Sequence, residues 1–210
     1  MPTLVLWLSG NWNWVEGWTF GVWLSAVMTA TLLWLYYEDP ALLAERLRMP
    51  GTGGESRFDL AILIGVKVAT IAWIILAPLD VGFGWTLRLL IWSEVCGAVL
   101  YFVGSFFFFR AFTDNLYLSQ LVRIQAKRGQ HVIDTGVYGV VRHPMCLGAS
   151  LFFVGGTLLL GSVWGLLVAP ATVLLLALRI FGWEKLLAHD LADYQAYCER
   201  VRYRFVPRVW

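Results

Sequence analysis

The sequence predicts an all-α protein: a polytopic membrane helical bundle of about five transmembrane helices, with an interfacial amphipathic helix at its C-terminal end. Three observations carry this. Of 210 residues, 59% are hydrophobic and 14% charged, where a soluble domain has about a quarter charged. The apolar residues fall in blocks near the length a bilayer core demands, about 20 residues. Lys and Arg gather in alternate connections between those blocks. The length suits one integral membrane domain over 1–210 rather than two.

The residues before Trp18 carry no basic stretch, and no small-residue cleavage site follows Leu4–Leu8, so no cleavable signal is expected. The first span is expected over about 18–37, the second over 60–79 and the third over 86–109. The fourth is expected over 144–160, opening on Pro144, because proline is favourable in a first helical turn, where its missing N–H would be unpaired anyway. The fifth is expected over 163–181. Only Gly161 and Ser162 separate it from the fourth, which requires a tight antiparallel hairpin. Pro170 falls inside it, a kink that a bundle tolerates. In the tail, 182–210, Leu187, Leu191, Tyr194 and Val201 recur at helical spacing among basic residues. That pattern predicts an amphipathic helix from Glu184 to Phe205, lying on the membrane surface or packed on the bundle.

Charge sets the expected orientation. Arg46, Arg48 and Arg57 lie after the first span; Arg110, Arg123, Lys127, Arg128 and Arg142 after the third; Lys185, Arg200, Arg202, Arg204 and Arg208 after the fifth. The other connections hold only Arg88. By the excess of positive charge in cytoplasmic loops, the N-terminus is expected outside and the C-terminus in the cytoplasm. Trp7, Trp12, Trp14, Trp85 and Trp164 would then form an outer aromatic belt. Net charge is +2, and no nucleic-acid partner is expected. Cys96, Cys146 and Cys198 are far apart and predict free thiols. His131, His143 and His189 have no metal-ligand spacing.

Costly polar groups collect at three places on the expected cytoplasmic side: the segment Arg110–Arg142, the start of the fourth span, and the end of the fifth around Arg179 and Glu184. They could close around one site. In "RHP", Arg142 and His143 precede a helix that Pro144 starts, so they stand where exposed N–H groups and the helix dipole favour an anion. Arg142 could equally anchor the helix to lipid headgroups.

The run from Asn115 to Ala149, "NLYLSQLVRIQAKRGQHVIDTGVYGVVRHPMCLGA", resembles the isoprenylcysteine carboxyl methyltransferase family of integral membrane methyltransferases. Members carry Gly-x-Tyr, then Arg-His-Pro-x-Tyr, later an Arg before a Glu-Glu pair, and a tyrosine-rich tail. Here stand Gly136 and Tyr138, then Arg142, His143 and Pro144, then Arg179, Glu184 and "YQAYCERVRYRFVP". The early "EDPALLAERLR", Glu38 to Arg48, resembles bacterial members of the superfamily. The resemblance implies S-adenosylmethionine as cofactor. It implies a cofactor pocket lined by Gln125, Gln130, His131, Val132, Ile133, Tyr138, His143, Pro144, Met145, Cys146 and Glu184. It implies Arg179 facing the substrate, and Arg179 and Arg142 are the candidate catalytic residues. The acceptor would be an apolar or lipid-linked small molecule reached from the membrane lipid, a carboxylate being favoured because Arg179 can clamp one with paired hydrogen bonds; a lipid amine or a small thiol stays open, the amine being disfavoured by Arg179 as a neighbour. A snorkelling Arg179 is the plainer alternative. Tyr138 could stabilise the sulfonium through its ring face.

Three positions depart from the pattern. Cys146 replaces the last tyrosine of Arg-His-Pro-x-Tyr, and Gln130 stands where a histidine is usual. One glutamate is missing, the pair reading Trp183-Glu184 without a gap or Glu184-Lys185 with a shift. Two other functions therefore stay open: a sterol-type membrane reductase whose nicotinamide cofactor would meet Arg123, Lys127 and Arg128, and a non-catalytic relative. Outside the motif, Lys67 and Glu94 fall within expected spans, where charges are costly and usually paired. With a rise of 1.5 Å per residue their heights differ by about 8 Å, and an intramembrane pair is expected, a snorkelling Lys67 beside a protonated Glu94 being the alternative.

Overall fold

The computed structural model describes residues 1–47, 57–87, 89–118, 131–191, 193–206 and 209. Among them the regular elements are helices alone. Helix α1 (Pro2–Ser9) precedes the long α2 (Val15–Glu38), and short α3 (Pro40–Arg46) follows. Then come α4 (Arg57–Phe83), α5 (Ile91–Asp114), a single 3-10 turn (Gly136–Gly139), α6 (Pro144–Leu160), α7 (Val163–Asp190) and α8 (Tyr194–Arg200). Helices α2, α4, α5 and α7 are long and apolar enough to cross a membrane; α6, at 17 residues, is the shorter apolar fifth. At about 1.5 Å per residue it reaches about 25 Å, close to a bilayer core of about 30 Å.

Pro144 starts α6 as expected, and Gly161, at φ 71°, ends it in the left-handed conformation that glycine adopts without strain. Ser162 caps α7, its hydroxyl accepting from the Gly165 N–H at 3.0 Å. Other boundaries differ from expectation. Helix α5 begins at Ile91 rather than 86, with Leu90 extended at its N-cap; Thr86 lies before it, its hydroxyl donating to the Asp80 carboxylate at 2.8 Å. Helix α7 continues to Asp190: Gly182 alone does not stop it, and no proline or other glycine lies between Phe181 and Asp190. The expected amphipathic helix from Glu184 is therefore two pieces, the end of α7 and the seven-residue α8. Tyr194, Tyr197 and Val201 are buried against Leu187, Leu191 and Val132, so the tail packs on the bundle.

Helices α5 and α6 form the tightest seam. Gly97 and Gly104 face Gly155 and Gly148, so backbone meets backbone. A Cβ on Gly104 would sit 2.5 Å from the Phe152 nitrogen, and one on Gly148 2.6 Å from the Phe108 nitrogen. Small residues at seven-residue spacing let membrane helices approach this closely. Beside the seam lies an aromatic core of Phe20, Trp73, Tyr101 and Phe153. Its polar atoms are paired: Trp73 Nε1 donates to Thr157 Oγ1 at 2.6 Å, and the Tyr101 hydroxyl to the Phe20 carbonyl at 2.9 Å.

The two ends of the bundle are built differently. At one end, buried Asp80 accepts from Thr86, from the Ser162 hydroxyl at 2.8 Å and from the Trp164 N–H at 3.2 Å. That single carboxylate ties α4 to the α6–α7 turn. Helix α1 packs here too, Pro2 against Gly21 of α2 and Ser9 against Gly82 of α4. Trp7, Trp12, Trp85 and Trp164 are exposed, but Trp14 is buried at 3% exposure and leaves the expected belt.

The expected Lys67–Glu94 pair is absent. Glu94 lies in the first turn of α5 because that helix starts late, and its carboxylate faces the α6–α7 turn beside Gly161. Lys67 is exposed on α4, a helix that packs mainly on α7 and α1.

Candidate active site

The other end gathers the polar residues. At the end of α5, Asp114 pairs with Arg110 at 2.8 Å and accepts from the Val137 N–H at 2.9 Å. This fixes the 3-10 turn to the helix end. Gly136 sits there at φ 57°, and a Cβ would collide with the Asp114 carboxylate. The turn buries Tyr138, whose hydroxyl donates to the Ala111 carbonyl at 3.3 Å. The Tyr138 carbonyl in turn accepts from the Tyr197 hydroxyl of α8 at 2.8 Å.

The Arg-His-Pro triplet is strapped down by the chain's tail. The Arg142 N–H donates to the Tyr203 carbonyl at 2.9 Å and the His143 N–H to the Arg204 carbonyl at 3.0 Å. Their side chains converge on Glu184 of α7. Arg142 lies 3.3 Å and His143 Nε2 3.4 Å from one carboxylate oxygen; Arg204 Nε lies 2.8 Å from the other. Arg204 Nε makes a close charge contact there rather than an aligned hydrogen bond. The Arg142, His143 and Glu184 side chains are 9%, 11% and 12% exposed. Burial alone would raise the Glu184 carboxyl, but His143, Arg142 and Arg204 together hold it below its ordinary value. Burial lowers the His143 imidazole, and Glu184 only partly offsets this against Arg142 and Arg204. At neutral pH the site therefore holds an ionised Glu184 beside a neutral His143.

Next to this knot a cleft of about 590 Å3, part of it open to solvent, lies between the end of α5, the start of α6 and the end of α7. Of the residues expected to line a pocket, Tyr138, His143, Pro144, Met145 and Cys146 do so, and Arg142 joins them. His131 stands just behind, its Nδ1 3.1 Å from the hydroxyl of the cleft residue Tyr117. Ile133 packs on Tyr138, and Val132 on Tyr194, away from the cleft. Glu184 stands behind Arg142 and His143 rather than on the wall. Gln125 and Gln130 lie outside the described residues, as do Arg123, Lys127 and Arg128.

Arg179 is buried at 6% exposure. Its Nε donates to Asp59 of α4 at 2.9 Å, and one terminal nitrogen reaches the second Asp59 oxygen at 3.5 Å. It neither snorkels nor lines the cleft. The fork expected to clamp an acceptor carboxylate holds one from the protein itself.

Residues 92–189 match the phospholipid methyltransferase family. The expected resemblance to integral membrane methyltransferases is shown by this match, and it supports a membrane methyltransferase. The matched stretch runs from the start of α5 to the end of α7 and so contains every element that walls the cleft. No curated protein matches the chain.

Sequence reasoning missed several cleft residues: Asn115, Tyr117, Leu118, Trp183 and Leu187. Trp183 carried a signal, since it stands where an ungapped reading places the missing glutamate. Arg46, a basic residue of the run Glu38 to Arg48, also reaches this region. Its guanidinium lies 3.7 Å over the Phe112 ring, donates to the Leu118 carbonyl at 3.2 Å, and burial lowers its pKa to about 10. It thereby braces α3 against the cleft's far wall.

Proposed function

We propose that the protein is an S-adenosylmethionine-dependent membrane methyltransferase that holds its cofactor in the cleft beside the Arg142–His143–Glu184 knot and takes an apolar, lipid-like acceptor from the bilayer. The observation that carries this reading is the coincidence of the family match, 92–189, with the elements that build the cleft.

The residues present fit the cofactor. Tyr117 and Trp183 border the cleft, and aromatic faces attract a sulfonium cation by roughly 0.5–2 kcal/mol. His143, the N-cap of α6, makes no side-chain cap, which leaves first-turn N–H groups for the cofactor's carboxylate. Bound there, S-adenosylmethionine supplies an electrophilic methyl group on sulfur. The chain's own contribution is positioning, which can account for most of a methyl transfer. Glu184 locks Arg142 and His143 to α7, and the tail locks their backbone.

The acceptor follows from Arg179. A carboxylate acceptor drew its support from an available guanidinium, and Asp59 now engages that group. A phospholipid, the class named by the matched family, is the acceptor we propose. The orientation with this end in the cytoplasm rests on the Lys/Arg distribution.

The test is transfer of labelled methyl from S-adenosylmethionine to phospholipid vesicles by the purified protein. Label in the lipid fraction is expected. Label absent from lipid, with the cofactor bound, contradicts the acceptor; absence of cofactor binding contradicts the whole reading.

A further inference from the structure

Resting on the methyltransferase reading, we propose that Arg46 of α3 is a positioning residue of the cleft, fixing the turn Asn115–Leu118 so that Tyr117 stays in place for the bound cofactor. The residue comes from outside the stretch that matches the family, since α3 ends before residue 92.

Local rules aim Arg46 inward. Pro40 opens α3, and the Asp39 carboxylate caps it, accepting from the Leu42 N–H at 2.8 Å. Leu42 is fully buried, and the residue four positions on shares its helix face. That residue is Arg46. Its guanidinium stands 3.7 Å over the ring of Phe112, a core residue, and donates to the Leu118 carbonyl at 3.2 Å. Among the described residues its partners are thus a ring face and a carbonyl, not a carboxylate. A headgroup anchor would leave the guanidinium in water; this one is taken into the protein, and with a pKa of about 10 it is still a cation at neutral pH. A planar guanidinium can stack on a ring and donate in its own plane at once, which an ammonium cannot.

The turn it holds needs a tie from elsewhere. Asn115 leaves α5 in an extended conformation. Its side-chain oxygen accepts from the Tyr117 N–H at 2.9 Å, and its carbonyl accepts from the Leu118 N–H at 3.2 Å. Those bonds shape the turn but do not set where it stands against the bundle. Two contacts at Leu118 do: its side chain packs against the Ala111, Val137 and Tyr138 cluster, and its carbonyl accepts from Arg46. Asn115, Tyr117 and Leu118 all line the cleft, and Arg46 stands behind them. Arg46 therefore acts through Tyr117 rather than by touching the cofactor.

The experiment uses the full chain in detergent micelles, with S-adenosylhomocysteine binding measured by calorimetry. Arg46→Met and Tyr117→Ala should each weaken binding by about tenfold, since each removes the same aromatic face from the cofactor. The double variant should bind within about threefold of Tyr117→Ala, because Arg46 then has nothing left to position. Arg46→Lys keeps the charge and should fall between wild type and Arg46→Met; it carries the same cycle if Arg46→Met does not fold. Asp80→Asn loosens the opposite end of the bundle and should bind within about threefold of wild type. In the cofactor-free protein, hydrogen exchange at the Tyr117 and Leu118 amides should quicken by about tenfold in Arg46→Met, with the Val137 amide, held by Asp114, little changed.

Losses that multiply in the double variant overturn the proposal, as does binding by Arg46→Met and Arg46→Lys within about threefold of wild type. An equal loss in Asp80→Asn overturns it too, since binding then follows stability alone. Unchanged exchange at Tyr117 and Leu118 overturns it without any cofactor present. Failure of the wild type to bind S-adenosylhomocysteine defeats the methyltransferase reading instead, and the exchange rates then decide alone whether Arg46 holds the turn.

Discussion

Gly104→Ala is the sharpest probe of how the cleft is held. The new Cβ would lie 2.5 Å from the Phe152 nitrogen and 2.7 Å from the Gly148 oxygen, both backbone atoms. Ordinary contact begins at 3.4 Å. Helices α5 and α6 must therefore part by nearly 1 Å (about 0.9 Å against Phe152), and no flexible side chain can absorb the difference. Overpacking of this kind costs about 1–3 kcal/mol. Lipid offers little in return, because close packing itself drives helix association in a bilayer. Gly182→Ala is the control: nothing lies within 4 Å of its added Cβ, and a helical Gly→Ala change gains about 0.5–1 kcal/mol. Reversible unfolding in mixed detergent micelles should separate the two by roughly 2–4 kcal/mol. Gly104→Ala should also weaken cofactor binding, since the residues just after α5 and those at the start of α6 both line the cleft. If the two variants unfold alike, the seam does not hold the bundle as described.

Asp80→Ala removes the shared acceptor of Thr86, Ser162 and Trp164, and should cost about 3 kcal/mol in the same unfolding assay, with Asp80→Asn losing less. Arg179→Met should cost about 3 kcal/mol or more, and the double variant with Asp59→Asn less than the sum of the two single losses, the mark of a direct pair in a double-mutant cycle. Gly136→Ala combines a left-handed φ with a clash on Asp114 and should cost about 2 kcal/mol, read by the same denaturation and by loss of cofactor affinity. Stability should fall on acidification, measured as unfolding free energy against pH. The unfolded chain protonates its histidine near 6.5 while folded His143 stays neutral, and protonates its glutamate near 4.5 while folded Glu184 stays ionised. In both windows the unfolded state binds more protons, so stability is lost first from about pH 6.5 downward and again through the carboxylate range. A flat profile from pH 7 to 5 would contradict a buried neutral His143.

The five long apolar segments were legible because composition and block length depend on the bilayer rather than on partners. Pro144 and Gly161–Ser162 fixed α6 and the hairpin through local backbone rules alone. Arg142, His143, Pro144, Met145, Cys146 and Tyr138 came together because their order is a motif. What escaped depended on tertiary contacts. The residues before α5 are tied to another helix, Thr86 donating to Asp80 of α4. Glu94 was misplaced with that start, and the expected pair with Lys67 failed as a result. Arg179 looked available because its partner Asp59 is 120 residues away, at the far end of a different span. The glycine seam was written at seven-residue spacing, Gly97 and Gly104 against Gly148 and Gly155, and needed only the partner helix to be recognised. Helix α1 is too short to read as a span and gains its place by packing on Gly21 and Gly82.

Everything proposed for this protein turns on whether the cleft between α5, α6 and α7 binds S-adenosylmethionine. Calorimetry on the purified protein with S-adenosylmethionine and its demethylated product, beside Tyr117→Ala and Trp183→Ala, tests it most directly. Saturable one-site binding is expected, weakened by both changes by about tenfold, the worth of one aromatic face on a cation. Absence of binding, or binding that neither change alters, would contradict it.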